Sequence, residues 1–187
     1  MKKSYFLFLG LCTLLFSFVS FAQVFDKKIN ELSSNYEADM IELRHWFHEN
    51  AELSNREFKT AERIANELKK IGLNPQTGIA KTGVVAVLKG GKPGPVVALR
   101  ADIDGLPVKE RADLPWKSNM IGEYNGEIVP VMHACGHDTH TAILLGTAKI
   151  LFDIKDQIPG TIKFIFQPAE EGAPAGEEGG AELMVKE

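Results

Sequence analysis

The chain has 187 residues and a mass of 20.6 kDa, which suits one ordinary domain and is short for two. Hydrophobic residues make up 44% and charged residues 25%, so the composition excludes a disordered tail, a collagen-like fibre and a membrane protein with many spans. A formal net charge of -4 argues against nucleic acid as a partner, and two cysteines are too few for a scaffold built on disulfides.

The N-terminal segment, residues 1–22, has the pattern of a secretory signal peptide. Two lysines near its start precede an almost wholly apolar run, and Ser20 and Ala22 are the small residues that a signal peptidase reads. We therefore expect export to the periplasm or the medium, with no stable membrane association after cleavage. Two alternatives stay open. One is an uncleaved anchor, and the other is lipid modification of Cys12, although Leu11 stands where that modification needs a small residue.

Cleavage after residue 22 would leave 165 residues with a net charge of -6 and Cys135 as the single cysteine. A single thiol in an oxidising compartment is a liability unless it is buried, bound to a metal or catalytic. Cys135 is therefore a candidate functional residue.

The mature chain alternates predicted helices and strands. Apolar residues at helical spacing predict a helix from Asp26 to about Asn50. Residues 54–57, Ser-Asn-Arg-Glu, have the capping-box pattern, so a second helix is expected to follow them and to end at Ile71, before Gly72. The remaining predicted elements are strands at 84–88, 96–99 and 161–166, a helix from His137 to about Phe152, a helix starting at 181–186, and loops at 90–95 and 173–180.

The predicted fold is α/β, with a central mixed sheet flanked by helices. The continuous apolar run Val96–Leu99 favours a position inside a sheet that is covered on both faces. The last predicted helix has no C-terminal cap before the chain stops at Glu187. We therefore expect residues 23–187 to be the N-terminal part of a longer domain.

Two acidic residues follow the strand at 96–99. Asp102 and Asp104 are two apart in an extended segment, so they share a face. They also lie at the carboxyl end of a strand, where ligand sites in open α/β sheets are found. A solvated acidic turn explains the same residues equally well, because Asp and Gly are common in turns.

The densest group of candidate ligands is Met132–His140. It contains Cys135 and three of the five histidines of the chain within eight residues. Imidazole and thiolate suit zinc or a similar transition metal, and Gly136 allows a sharp turn between Cys135 and His137. Asp138 is expected to accept a hydrogen bond from a ligand histidine. The alternative is a buried cysteine beside surface histidines at the start of a helix.

Two neighbouring glutamates follow the strand at 161–166. Adjacent residues of an extended chain point in different directions, so one of Glu170 and Glu171 can bind a metal while the other acts as a general base. A plain charged loop is the alternative. His45 and His48, three residues apart on the first helix, are expected to be ordinary surface histidines, although His48 could reach a site in three dimensions.

Three motifs together resemble a known family. The segments ALRADIDGLPV, MHACGHDTHTA and FQPAEEG, in this order, are similar to the amidohydrolase branch of the aminoacylase/carboxypeptidase metallopeptidases, which includes hippurate hydrolase and the plant hydrolases of indole-acetyl amino acid conjugates. Residues 48–54, followed by Glu57, also resemble the first helix junction of that family. These motifs span most of residues 41–186.

The resemblance implies a zinc-exopeptidase-like catalytic domain with two divalent metals, zinc or manganese. On the matching positions, Cys135, His137 and Glu171 would be metal ligands and Glu170 the general base. Asp102 and Asp104 fall where related branches place a metal-binding His and its supporting Asp, and they are given orienting roles here. The implied reaction is hydrolysis of an N-acyl amino acid.

The resemblance also implies parts that this chain lacks. Family members carry further histidine ligands and an inserted second domain that closes over the substrate and often mediates dimerisation, so the full-length protein could be a homodimer. We therefore expect this chain alone to be inactive, to fold poorly and to expose core surface. Two other readings remain: a hydrolase that uses Cys135 as the nucleophile with His137 or His140, and an exported metal-binding protein without catalysis. The sequence does not indicate which acyl group or amino acid is preferred.

Overall fold

A computed structural model of the protein describes the backbone of residues 3–187 and the side chains of residues 25–187. The predicted signal peptide, residues 1–22, lies outside the residues whose side chains are described, so it stays a prediction. The chain divides into two compact units, residues 1–37 and residues 38–187. Within the part whose side chains are described, no helix is both long enough and apolar enough to cross a bilayer.

The helices and strands largely follow the predicted order. The helices are α1 (Lys3–Glu49), α2 (Phe58–Ile71), α3 (His137–Asp153) and α4 (Gly180–Lys186), with a 3-10 turn at Lys155–Gln157. The strands are β1 (Gln76–Ile79), β2 (Gly83–Lys89), β3 (Lys92–Asp102), β4 (Met120–Tyr124), β5 (Glu127–Val131) and β6 (Pro159–Gln167). All the predicted helices and strands after residue 25 are confirmed, whereas β1, β4 and β5 are additional.

The larger sheet is mixed. Its strand order is β1-β2-β6-β3, in which β2 pairs antiparallel with both β1 and β6, and β3 pairs parallel with β6. α2 and α3 lie beside each other and contact this sheet. The α/β architecture with a mixed sheet flanked by helices is therefore confirmed.

One detail of the prediction is wrong. β3 is an edge strand, and Val96 and Val97 are 72% and 49% exposed, so this apolar run does not lie inside the sheet. The segment at 90–95 is only partly a loop, because β3 already begins at Lys92. The run is apolar, but in the described chain no strand pairs with its outer edge.

The core lies between the sheet and the two central helices. Alternate residues of β6, Phe164 and Phe166, are fully buried, and so are Ile64 and Leu68 of α2. This alternation is expected for a strand with one face against helices. Because burying a large apolar side chain stabilises a fold by about 1.5–3 kcal/mol, these residues fix α2 against the sheet.

The start of α2 differs from the prediction. Ser54 and Glu57 do not form a capping box. The N-cap residue of α2 is Glu57, and its side chain makes no hydrogen bond to the helix. Instead, the carboxylate of Glu52 accepts hydrogen bonds from the backbone amides of Lys59 and Thr60, at 3.2 and 2.8 Å. Glu52 thus satisfies amides that the helix itself leaves without partners, and Ser54 and Glu57 are available for other contacts. The end at Gly72 is confirmed, with φ at +102°.

Candidate metal centre

The three predicted clusters meet at one edge of the larger sheet. β3 ends at Asp102 and β6 ends at Gln167, and these two residues are paired on neighbouring parallel strands. α3 begins at His137 and contacts both strands. Because ligand sites of open α/β sheets lie outside the carboxyl ends of the strands, this is where the fold favours a binding site.

Cys135, His137 and Glu171 form one group of candidate metal ligands. A ligand atom from each residue lies within 4.8 Å of the other two. A thiol sulfur, an imidazole nitrogen and a carboxylate oxygen are the donors that zinc and similar ions take in proteins. The Oε1 atom of Glu171 is buried and has no hydrogen-bond partner among the described residues, as expected for an oxygen that coordinates a cation. The residues therefore fit a divalent metal.

The imidazole of His137 is held by Asp104. Nδ1 of His137 donates to the backbone carbonyl of Asp104 at 2.9 Å and lies 3.3 Å from its carboxylate. A carbonyl oxygen only accepts, so the proton is on Nδ1, and Nε2 faces the site. Burial alone would lower the pKa of His137, but the hydrogen bonds to Asp104 outweigh it and raise the pKa to about 9.

Asp104 is the centre of a buried hydrogen-bond network. Its Oδ2 accepts from the hydroxyl of Ser54 at 2.6 Å and from the backbone amide of Glu171 at 2.9 Å. Burial would raise the pKa of Asp104, but the bonds from His137, Ser54 and the backbone amides lower it below its ordinary value. Asp104 thus links the end of β3, through hydrogen bonds, to the start of α3 at His137 and to the loop that contains Glu170 and Glu171.

Asp138 does not support a ligand histidine, and that expectation is wrong. Its Oδ2 accepts from Nδ1 of His48 and from Nε of Arg44, both at 3.0 Å. The residue that bonds to the imidazole of His137 is Asp104, not Asp138. Burial opposes ionisation of Asp138, but the bond with His48 and nearby positive charges lower its pKa to about 2.

His48 is not an ordinary surface residue, contrary to the first expectation. It is only 6% exposed, and its two ring nitrogens contact carboxylates of Asp138 (3.0 Å) and Glu110 (2.7 Å). The hydrogen bond to Asp138 is the main reason that the pKa of His48 is raised. His48 therefore connects α1 to α3 and to the loop at Glu110. His45 is half-buried and stacks on Trp116, with ring centroids 3.6 Å apart.

Glu170 and Glu171 converge on His137 instead of pointing apart. Oε2 of Glu170 and Oε1 of Glu171 lie 3.7 and 3.8 Å from Nε2 of His137. The backbone is not extended here, since Ala169 has φ at +47°. The two carboxylates still differ in environment, because the Glu170 side chain is 40% exposed and that of Glu171 is 18% exposed. This difference suits a division between a proton carrier and a ligand.

The thiol of Cys135 is exposed and acidic neighbours surround it. The neighbouring carboxylates, Glu171 first and then Glu170, raise the pKa of the Cys135 thiol, because negative groups nearby disfavour the thiolate. Nucleophilic cysteines need the opposite, a lowered pKa that gives a thiolate near neutral pH. A cation bound between Cys135 and Glu171 would itself stabilise the thiolate, so these acidic surroundings suit a metal ligand better than a nucleophile.

Asp102 lies on the other side of His137. Its carboxylate accepts from Arg100 at 3.2 Å, and Oδ2 lies 4.0 Å from Nδ1 of His140. Asp102, His137 and His140 form a second group whose ligand atoms lie within 4.8 Å of one another. The structure thus brings Asp102 and Asp104 close to the same histidine, and their carboxylates have different hydrogen-bond partners.

The sequence did not indicate the roles of two residues that the structure connects to this site. The hydroxyl of Ser54 bonds to Asp104, and the carboxylate of Glu57 accepts from the backbone amide of Ala169, at 2.9 Å. The Ser-x-x-Glu pattern was visible, but its usual meaning is a capping box. Nothing in the local pattern distinguishes a local cap from contacts with segments 50 and 112 residues away.

Comparison with known proteins agrees with these features. Residues 98–187 match the model of peptidase family M20/M25/M40. The chain is 47% identical to a thermostable carboxypeptidase 2 of Saccharolobus solfataricus over 148 residues, which are 79% of this chain and 35% of that protein. It is 44% identical to an N-acyl-L-amino acid amidohydrolase of Geobacillus stearothermophilus over 160 residues, which are 86% of this chain and 40% of that protein. The chain thus spans 35% to 40% of the length of these relatives.

A solved structure supports the same assignment. The chain resembles the YXEP protein of Bacillus subtilis, described as a dinuclear metal binding peptidase from the M20 family, with 41% identity and a TM-score of 0.66 over 74% of this chain and 37% of that one. Residues 98–187 therefore belong to peptidase family M20/M25/M40, and the relatives of the chain include an N-acyl-L-amino acid amidohydrolase and a dinuclear metal binding peptidase of the M20 family.

Proposed function

We propose that this chain is the N-terminal part of the catalytic domain of a metal-dependent amidohydrolase, which hydrolyses the amide bond of N-acyl amino acids or small peptide-like substrates. The observation that carries the proposal is the convergence of Cys135, His137 and Glu171 on one point, with Glu170 beside the same imidazole. The relatives named as a carboxypeptidase and an N-acyl-L-amino acid amidohydrolase support this substrate class.

Cys135, His137 and Glu171 would hold one divalent metal. A metal held there would polarise the scissile carbonyl and lower the pKa of a water molecule. The description of the Bacillus subtilis relative as dinuclear supports a second metal, and zinc or manganese suits the donor set. Asp104 keeps Nδ1 of His137 occupied, so that Nε2 remains directed to the site.

Glu170 is the residue that we assign to proton transfer. Its side chain is 40% exposed, so a water molecule and a substrate amide have access to it. The carboxylate accepts a proton from the attacking water and then donates it to the leaving amine, which departs as a neutral amino group. Glu171, which is less exposed and has a buried oxygen, serves as a ligand.

The test is a set of three substitutions in the full-length protein that contains this chain. Glu170→Gln removes the proposed base, Glu171→Gln removes a proposed ligand, and Glu178→Gln is a matched control in the second glutamate pair nearby. Each protein would be assayed for metal content and for turnover of small N-acyl amino acids. Because general bases contribute about 100-fold to 10,000-fold, we expect Glu170→Gln to lose that much kcat and to keep its metal.

The other two variants complete the test. We expect Glu171→Gln to lose metal and turnover together, and Glu178→Gln to behave as wild type. Turnover that does not respond to a chelator would contradict the proposal and return Cys135 to consideration as a nucleophile. Bound metal without any turnover in the wild type would instead support a metal-binding protein without catalysis.

We also propose that the protein is exported, which the signal-peptide pattern of residues 1–22 supports. N-terminal sequencing of the mature protein is the direct test. A start at Gln23 agrees with cleavage, whereas an intact N-terminus in a membrane fraction would identify an uncleaved anchor.

A further inference from the structure

The turn at residues 54–57 contacts three separate segments of the chain. Ser54 bonds to Asp104 at the end of β3, Asn55 bonds to the side chain of Glu177 and the backbone of Glu178, and Glu57 bonds to Ala169. Glu57 is completely buried, which is rare for a carboxylate unless it has specific partners. Its burial therefore calls for an explanation from its contacts.

Glu57 uses both carboxylate oxygens. Oε1 accepts from the backbone amide of Ala169 at 2.9 Å, and Oε2 accepts from the hydroxyl of Thr82 at 2.6 Å. Ala169 has φ at +47°, in the left-handed region that residues with a Cβ seldom adopt. Such a conformation persists only when its surroundings hold it, and the bond to Glu57 is one such restraint.

A second carboxylate holds the other side of the same loop. Oδ2 of Asp104 accepts from the backbone amide of Glu171 at 2.9 Å. The amides of the residues before and after Glu170 are therefore both bonded to buried carboxylates. Fixing these two amides sets the direction in which Glu170 and Glu171 leave the backbone, and both reach His137.

We propose that Glu57 is a positioning residue, which acts through the Ala169 amide to hold Glu170 and Glu171 against His137. This inference rests on the proposed function for its catalytic meaning, but the restraint on the loop is independent of it. Glu57 is not a catalytic residue, because it is fully buried and its described bonds are to Thr82 and Ala169. What it supplies is an acceptor at the correct distance.

The surroundings of Glu57 suggest that its reach matters more than its charge. Burial raises the pKa of Glu57 to about 7, and its two partners are neutral groups. A glutamine has the same length, can accept from Ala169 through its carbonyl oxygen, and can donate to the oxygen of Thr82. An aspartate keeps the charge but is one methylene shorter, so it cannot reach both partners.

The experiment compares Glu57→Gln and Glu57→Asp in the full-length protein, with Ile64→Val as a control for destabilisation of the same helix. The readouts are hydrogen exchange of the amides in residues 168–172, Zn²⁺ affinity by competition with a chelator, and kcat and KM. Loss of residues that orient ligands costs about 10-fold to 100-fold in metal affinity or activity. We expect that loss in Glu57→Asp, with faster exchange in the loop and a lower kcat at an almost unchanged KM.

Glu57→Gln is expected to remain within about threefold of wild type in metal affinity and kcat. Its side chain keeps both hydrogen bonds, whereas losing the contacts that orient a ligand costs about tenfold or more. The control is expected to lower the melting temperature without changing loop exchange. The proposal is overturned if aspartate preserves the loop and glutamine does not, or if both variants match the control. If wild type neither binds Zn²⁺ nor turns over substrate while the two variants still differ in loop exchange, the proposed function fails and the restraint by Glu57 stands.

Discussion

The carboxyl end of β3 and the middle of the same strand differ sharply. At its carboxyl end, Asp102 and Asp104 are buried, and their carboxylates contact side chains or amides from several distant segments. In its middle, Val96 and Val97 are largely exposed, and β3 is the edge strand of the sheet. Polar residues thus lie inside and apolar residues lie outside along one strand, which reverses the usual distribution.

This contrast predicts that the two regions of β3 respond differently to substitution. Each bond at the carboxyl end joins specific atoms of described residues, so the geometry around His137 depends on those residues. The outer edge of β3 pairs with no strand among the described residues, and an unpaired strand edge is a place where another chain can pair. The candidate metal centre should therefore respond strongly to single substitutions, whereas the edge should respond weakly in stability and more clearly in association.

The largest effect is expected from Asp104→Ala. The substitution leaves the hydroxyl of Ser54 and the amide of Glu171 without their carboxylate partner and removes the negative charge beside His137. Breaking a buried pair by removing one member costs about 3–5 kcal/mol, and we expect a loss of that size in the free energy of unfolding. Urea unfolding followed by circular dichroism measures it.

The control for this prediction is Asp113→Ala. Asp113 is also an aspartate with a basic partner, Lys117, but its side chain is 97% exposed. We expect little change in unfolding, because exposed pairs contribute little. Equal losses in the two variants would mean that the buried network at the end of β3 is not a special source of stability.

A smaller effect is expected from the titration of Glu57, and it appears only when the free energy of unfolding is measured as a function of pH. Burial raises its pKa in the folded protein from the ordinary 4.5 to about 7. The folded state therefore holds a proton that the unfolded state releases, so this contribution to stability is complete below pH 4.5 and is lost as pH rises through 7. At about 1.4 kcal/mol per pKa unit, the loss is on the order of 3 kcal/mol.

Glu57→Gln isolates this contribution, because other groups titrate alike in both proteins. We expect the free energy of unfolding of wild type, relative to the variant, to fall between pH 5 and pH 8. Urea titrations at closely spaced pH values provide the curve. A difference that stays constant with pH would show that Glu57 titrates normally in the folded protein.

Much of this arrangement follows from local patterns in the sequence. The stop at Gly72, the start of α3 at His137 and the turn at Gly136 each depend on neighbouring residues, and each prediction is confirmed. The position of Asp102 and Asp104 after a predicted strand likewise placed both at its carboxyl end, where they lie close to His137. These features depend on backbone geometry that a few residues determine.

The errors have a common physical cause. Asp138, His48 and Glu57 each bond to a partner about 90 residues or more away, and no local pattern identifies such a partner. A local interpretation therefore predicted a ligand histidine as the partner of Asp138, a surface position for His48 and a capping box for Glu57. The position of β3 at the sheet edge is of the same kind, because an apolar run predicts burial but does not indicate which strands will cover it.

The smallest effect on stability is expected from Val96→Lys, which tests the exposed middle of β3. Because Val96 is 72% exposed, its side chain contributes little to the core, and the free energy of unfolding should change by no more than about 0.5 kcal/mol. A lysine on an edge strand opposes pairing with a second sheet edge, so self-association of the chain should begin at a higher concentration. Light scattering over a concentration series measures this, with Val96→Thr as the uncharged control of similar shape. Unchanged association would show that the chain does not associate through β3, and a large loss of stability would show that Val96 is packed within the chain after all.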